Sequence, residues 1–248
     1  MGKSSKDKRD IYYRLAKENG YRARSAYKLI QLDELYGFLD GDARRVIDLC
    51  AAPGSWSQVI SQHLTDSAGT GRRPGLLVSI DLQPMAPLPS TTQIQADLTD
   101  PATAPRILSL FHDDDGDDGE EGTGDGNGKA DLVVSDGAPD VTGLHDLDTY
   151  LHHQLFHACL NLVLETLRTG GTFVAKMFRG GERELVDEMV RRYFRHVSWH
   201  KPLASRASSM EIFLVCQDFQ GTSCRDAQEQ AKVDQFMACG DLSAFNSQ

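Results

Sequence analysis

Short apolar runs recur along this chain, with amphipathic stretches between them. The runs at 45–49, 76–81, 92–95, 131–135, 171–177, 196–199 and 210–217 have the length and residue types of strands. Apolar positions at three- and four-residue spacing predict helices at 55–64, 101–111, 147–168, 181–193 and 225–238. Two further amphipathic helices, at 10–18 and 25–36, precede the first strand, and residues 1–8 read as disordered. Strand and helix then alternate, the pattern of a doubly wound α/β fold with a mainly parallel sheet. If the strand at 210–217 returns antiparallel from 196–199, it begins at the edge where the other strands end. No internal repeat is visible.

The first strand, Val46-Ile47-Asp48-Leu49, enters the turn Cys50-Ala51-Ala52-Pro53-Gly54 and then the helix opening Ser55-Trp56-Ser57-Gln58. Ser55 and Gln58 have the spacing of a capping box, which would fix where that helix starts. Such a strand–turn–helix opens a nucleotide-binding sheet, whose ligands sit at the carboxyl ends of the strands. The turn lacks the G-x-G-x-x-G spacing, and no Walker lysine follows it. With Gly54 as its one close-approach glycine, it has no set of amides shaped for a pyrophosphate. That favours a nucleoside without phosphates, of which S-adenosylmethionine is the common example.

A length of 248 residues suits one sizeable α/β domain over 39–220, with a basic helical arm over 1–38 and a helical tail over 221–248. The net charge of −10 argues superficially against a nucleic-acid partner. Its distribution reverses that impression. Six Asp and two Glu lie within 113–128, an Asp/Gly/Glu-rich segment that reads as a disordered loop insertion and leaves the rest of the chain nearly neutral. Residues 1–28 hold nine Lys/Arg against three acids, interleaved with Tyr12, Tyr13, Tyr21 and Tyr27, so one face can meet RNA phosphates and bases.

No apolar run reaches membrane-spanning length and no signal core follows the first charges, while Asp7, Asp10 and Glu18 argue against a transit peptide. A cytoplasmic chain without membrane contact is expected. The five cysteines form no C-x-x-C and read as free thiols. His153 and His157, with His152 adjacent, lack a third ligand, so no metal site is expected.

Acidic residues sit where successive strands end. Asp81 could grip a ribose diol, Asp97 could accept from an adenine amino group, and Asp136 directly precedes Gly137-Ala138-Pro139. Any one of them could instead be a loop aspartate capping a helix; the recurrence of all three with Gly54 at one sheet edge points to a site. Lys176 ends the fifth strand, where a lysine can also simply reach solvent. Glu211 starts the last strand, which topology brings to Asp136 and Lys176. Nothing in the pattern alone positions Lys28.

Lys28, Asp136, Lys176 and Glu211 reproduce in order the K-D-K-E tetrad of FtsJ/RrmJ-like RNA ribose 2′-O-methyltransferases, which the chain resembles over residues 8–217. The flanking text agrees in Arg24-Ser25-Ala26-Tyr27-Lys28-Leu29, Asp48 to Gln58, Ser135-Asp136-Gly137-Ala138-Pro139-Asp140 and Gly170-Gly171-Thr172-Phe173-Val174-Ala175-Lys176. Asp81-Leu82-Gln83-Pro84-Met85 and Asp140-Val141-Thr142-Gly143-Leu144-His145-Asp146 resemble the eukaryotic branch that methylates riboses 32 and 34 of the tRNA anticodon loop.

The resemblance implies a Rossmann-like, S-adenosylmethionine-dependent methyltransferase fold: a seven-stranded, mostly parallel sheet with helices on both faces and an antiparallel last strand. It implies Lys176 as the general base. Lys28 and desolvation would lower the pKa of that amine, whereas Asp136 and Glu211 would raise it. Gly54, Trp56, Asp81, Asp97 and Asp136 match donor-binding positions. The branch implies tRNA as substrate and auxiliary proteins as partners, with 221–248 as a docking surface. The same chemistry on ribosomal RNA, and a non-catalytic RNA-binding scaffold, are the alternatives.

Overall fold

The computed structural model describes residues 10–39, 43–68, 75–114, 128–139, 142–179 and 183–222. The expected helix at 225–238 and most of the acidic segment lie outside them. Helices α1 (Ile11–Glu18) and α2 (Ala26–Tyr36) precede β1 (Arg45–Leu49). There follow α3 (Ser55–Ala68), β2 (Leu76–Asp81), β3 (Thr91–Gln95), α4 (Thr103–Asp114), β4 (Ala130–Ser135) and α5 (His145–Thr166). The chain continues through β5 (Leu167–Phe178), α6 (Arg183–Arg191), β6 (Phe194–His200) and β7 (Glu211–Phe219).

The seven strands form one sheet in the order β3-β2-β1-β4-β5-β7-β6. β1 to β5 are parallel, and β7 inserts antiparallel between β5 and β6. Strand order reverses between β1 and β4, which opens a crevice at their carboxyl ends, the usual ligand position in such sheets.

Each central strand is buried on both faces, and its residues alternate between two cores. Ile47, Leu49, Val78, Ile80, Val133, Phe173 and Leu214 pack beneath α4, α5 and α6. Val46, Leu77, Leu132, Val134, Val174, Phe213 and Val215 pack against α2 and α3 through Ala26, Leu29, Leu32, Trp56 and Ile60. The period of two along a strand sends neighbours to opposite faces, so the near-continuous apolar runs require helices on both. Helix α2 is therefore part of the second core. Its end is set by Gly37 at φ +62°, a left-handed turn in which the glycine N–H reaches the Asp33 carbonyl at 2.7 Å.

Helix α3 begins at Ser55, as the sequence predicts, but not through a capping box. The Ser55 hydroxyl lies 2.5 Å from that of Ser25. Gln58 accepts from the Arg22 backbone N–H at 2.7 Å and donates to the Gly20 carbonyl at 3.0 Å. Both side chains fasten the N-terminal arm to α3, an alternative use of polar groups that a local pattern cannot distinguish from capping. Among the described residues, no helix is long and apolar enough to cross a membrane.

Candidate active site

The crevice holds a cavity of about 720 Å3 walled by segments that follow β1, β2, β3 and β4, with Gln154, Leu155 and Ala158 of α5 completing it. Its size is that of a small-molecule site. Asp81, Asp97 and Asp136 all line it, between apolar surfaces from Leu82, Pro84, Leu98 and Ala138. The strand-end aspartates thus share one site. Asp81 orders the surrounding loops, accepting from the Ala52 and Gln83 backbone N–H groups at 2.8 Å each. Each of its oxygens keeps a second lone pair for a ligand. Asp97 stands exposed at the rim, and bonds from the Thr99 backbone and hydroxyl hold its carboxyl below the ordinary range.

Gly54 and Trp56 have a different placement. Gly54 has φ +97°, and a Cβ there would meet the Arg22 guanidinium at 2.5 Å. Its close approach is to the N-terminal arm: Arg22 donates to the carbonyls of Pro53, Ala86 and Pro87, tying the β1–α3 turn to the β2–β3 loop. The Trp56 side chain is only 2% exposed, packs against Phe213 and donates its indole N–H to the Ser25 carbonyl at 2.9 Å. Neither residue lines the cavity. Cys50, Gly137 and the α5 residues Gln154, Leu155 and Ala158 are among the lining residues that went unpredicted. Gly137 is required for space, because an added Cβ would lie 2.8 Å from Cys50 Sγ.

The tetrad assembles beside this cavity. Lys176 lies two residues before the end of β5, which continues to Phe178 and so runs past the end that the sequence predicts; it donates to the Asp136 carbonyl at 2.5 Å, with Asp136 Oδ1 3.3 Å away. That buried oxygen makes no hydrogen bond, and Asp136 also lines the cavity. Glu211 lies opposite Phe178 in the antiparallel register, and Phe213 opposite Lys176. Glu211 is therefore the diagonal neighbour of Lys176 on the same face of the sheet. Lys28 reaches that face from α2, over the Phe213 ring, and forms a 2.8 Å ion pair with Glu211. Burial pushes the Glu211 carboxyl upward, but the bond and charge of Lys28 outweigh it and hold Glu211 below its ordinary value.

Two buried titratable groups underlie the site. Asp48, 1% exposed, is pushed up to about 7 by burial and by the charges of Asp136 and Asp81, against an opposing 2.5 Å bond from the Ser57 hydroxyl. His152, 2% exposed, stacks on Phe178 and lies 3.1 Å from the Lys176 carbonyl through Nε2. Burial, with the Lys176 charge nearby, lowers His152 to about 4, so the ring is neutral near neutral pH and must carry its proton on Nε2 to donate there. Among the described residues, no group of three His, Cys, Asp or Glu is arranged to hold a metal.

A second cleft, about 400 Å3, is lined by the Lys28–Glu211 pair together with Arg24, Arg206, Ser208 and Ser209. Tetrad residues thus border two concave spaces: Asp136 the acidic and partly apolar one, Lys28 and Glu211 the one rimmed by arginine.

Known proteins are similar to this chain in sequence and fold. The chain is 48% identical to a tRNA (cytidine(32)/guanosine(34)-2′-O)-methyltransferase of Schizosaccharomyces pombe, across all of this chain and 86% of that protein. Its identity to the Mus musculus protein of the same name is 47%, across all of this chain and 76% of the relative. The crystal structure of a ribosomal RNA methyltransferase from Plasmodium falciparum superposes with a TM-score of 0.65 at 25% identity, covering 82% of this chain and all of the other. The profile of the FtsJ-like methyltransferases matches residues 21–219, from the N-terminal arm through the last strand, and the chain belongs to that family.

Proposed function

We propose that this protein transfers a methyl group from S-adenosylmethionine to the 2′-oxygen of riboses 32 and 34 in the tRNA anticodon loop. The observation that carries this reading is the double position of Asp136, which lines the acidic cavity while its carbonyl accepts from Lys176. Donor site and base are thereby joined through one residue. Three carboxylates around a partly apolar cavity suit a ligand with a cationic sulfonium and ammonium, a ribose diol and a flat base. Asp81 would hold the diol, Asp97 the adenine edge and Asp136 the cationic end, while Gly54 and Trp56 act indirectly by fixing the turn.

Bound S-adenosylmethionine supplies an electrophilic methyl group on a sulfonium. A ribose hydroxyl is a poor nucleophile until its proton leaves. Lys176 Nζ would take the 2′-hydroxyl proton, and the freed oxygen would receive the methyl group as its bond to the sulfonium sulfur breaks and a neutral thioether leaves. The carbonyl and carboxylate of Asp136 fix the direction of Nζ, and the Lys28–Glu211 pair borders the hydroxyl from the other side. Holding oxygen, base and methyl in line is a large part of the acceleration of any two-substrate transfer.

The tRNA assignment is supported by the names of relatives at 48% and 47% identity across all of this chain, compared with 40% across 88% of it for a ribosomal RNA methyltransferase of Candida albicans. By the same branch resemblance, an auxiliary protein positions the tRNA. The docking segment expected over 221–248 falls almost wholly outside the described residues.

The test is transfer of labelled methyl groups to tRNA lacking 2′-O-methylation, with and without a candidate auxiliary protein, comparing wild type with Lys176→Ala. Label on riboses 32 and 34, lost by at least a hundredfold in the variant while donor binding persists, supports the reading. Label confined to ribosomal RNA would replace the substrate. Donor binding without transfer to any RNA would indicate a scaffold.

A further inference from the structure

The two arginines that line the cleft at the Lys28–Glu211 pair share an internal anion. The Asp10 carboxylate forms an ion pair with Arg24, and its Oδ2 lies 3.5 Å from Arg206 Nε. The same side chain caps α1, with Oδ1 accepting from the Tyr13 N–H at 3.3 Å. The Arg24 guanidinium is anchored from behind. Arg24 donates to the Ala204 carbonyl, and Ala204 N–H donates to Gln31 of α2 at 2.8 Å. Lys201 gathers the segment leading to β7 by donating to the carbonyls of Ser209, at 2.7 Å, and Ala207, at 3.3 Å. The Ser209 hydroxyl accepts from the Glu211 N–H at 3.1 Å, which leaves its proton available to a ligand. Arg206 is largely exposed, whereas Arg24 and Asp10 are mostly buried.

We propose that Arg24, Arg206 and the Ser209 hydroxyl form the subsite for the phosphodiester on the 3′ side of the ribose that is methylated. The inference rests on the reading of the protein as an RNA 2′-O-methyltransferase. Three observations carry it. The cleft shares Lys28 and Glu211 with the tetrad, so an oxyanion bound there lies next to the reacting hydroxyl. The nearest phosphate to any 2′-hydroxyl is the one on the adjacent 3′-oxygen. Finally, one carboxylate already sits between the two guanidiniums, so their spacing accepts an oxyanion, and planar arginine forks suit phosphate oxygens as well as carboxylate. Asp10 then acts as an internal competitor: RNA phosphate takes over part of its contact with Arg206, while Arg24 stays anchored. Recognition of this kind reads the backbone and carries no base preference.

The experiment measures affinity for unmethylated tRNA across a salt series, with the auxiliary protein if wild type needs it, and with donor binding measured in parallel. Arg206→Gln should weaken RNA binding about tenfold at low salt. It should also flatten the dependence of log affinity on log salt by about 0.7, as expected for one lost contact to single-stranded RNA. Donor affinity should not change. Asp10→Asn, which keeps a capping side chain but removes the competing charge, should move RNA affinity in the opposite direction.

The phosphate itself is located with tRNA carrying one uncharged methylphosphonate 3′ to ribose 34. Wild type should lose affinity for this RNA, and Arg206→Gln should lose little more, so that the two changes are not additive. Additive losses, an unchanged salt slope in Arg206→Gln, or weaker binding by Asp10→Asn would each overturn the assignment. If wild type itself neither binds nor methylates tRNA, the functional reading has failed instead, and the two failures are distinguishable.

Discussion

Replacing Asp48 by asparagine should make stability less dependent on pH, with a magnitude set by the burial of that carboxyl. Its pKa rises from the ordinary 3.8 to about 7, first through burial and then through the charges of Asp136 and Asp81. A group whose folded pKa is raised stabilises the fold fully below its unfolded pKa, and that contribution is lost as pH climbs through the folded value. The window therefore runs from about pH 4 to about pH 7, and the wild type loses about 4 kcal/mol across it at 1.36 kcal/mol per pKa unit. Asparagine does not titrate. It keeps an oxygen for the Ser57 hydroxyl but places two amide donors where protonated aspartic acid has one, a cost of about 1 kcal/mol.

Asp48→Asn should consequently be slightly less stable than wild type at pH 4 and about 3 kcal/mol more stable at pH 8, with the curves crossing near pH 5. For a chain of this size that difference is about 6–12 °C in Tm. The assay is thermal or urea unfolding of both proteins from pH 4 to pH 8, read as the difference between them so that other titrating groups cancel. A difference that stays constant from pH 5 to pH 8 would show that Asp48 titrates as an ordinary aspartate, and the reasoning would be wrong.

Lys28→Met should destabilise the fold by about 3–5 kcal/mol in denaturant titration by leaving Glu211 buried without its cation, and adding Glu211→Gln should recover most of that loss. Gly137→Ala puts a Cβ 2.8 Å from Cys50 Sγ and forces the cavity wall to move; donor affinity should fall at least tenfold by calorimetry, with a stability cost of about 1–3 kcal/mol. Gln58→Ala removes both bonds that hold Arg22 and Gly20 to α3, and should lower unfolding free energy by about 1–3 kcal/mol while leaving donor affinity intact.

The sequence by itself determined the order and type of the elements, because strand and helix periodicities are local properties. Near-continuous apolar runs at β1, β2, β4, β5 and β7 left no solution but a sheet covered on both faces. Strand ends were equally legible, and with them the shared edge for Asp81, Asp97, Asp136, Lys176 and Glu211. The motif text around Lys28 to Glu211 identified the chemistry that this edge supports.

Tertiary structure alone decided what side chains touch across many residues of separation. Lys28 reaches Glu211 because Ala26, Leu29 and Leu32 pin α2 to the sheet. Gly54 makes room for the Arg22 guanidinium; Trp56 turns into the core; Ser55 and Gln58 bind the arm in place of capping. Those roles were hidden because polar side chains and glycine satisfy several local patterns equally well, and the choice among them depends on which distant backbone arrives. The titration of Asp48 and His152, and the bridging of Arg24 and Arg206 by Asp10, belong to the same class. They arise from burial and charge proximity, which exist only once the chain has folded.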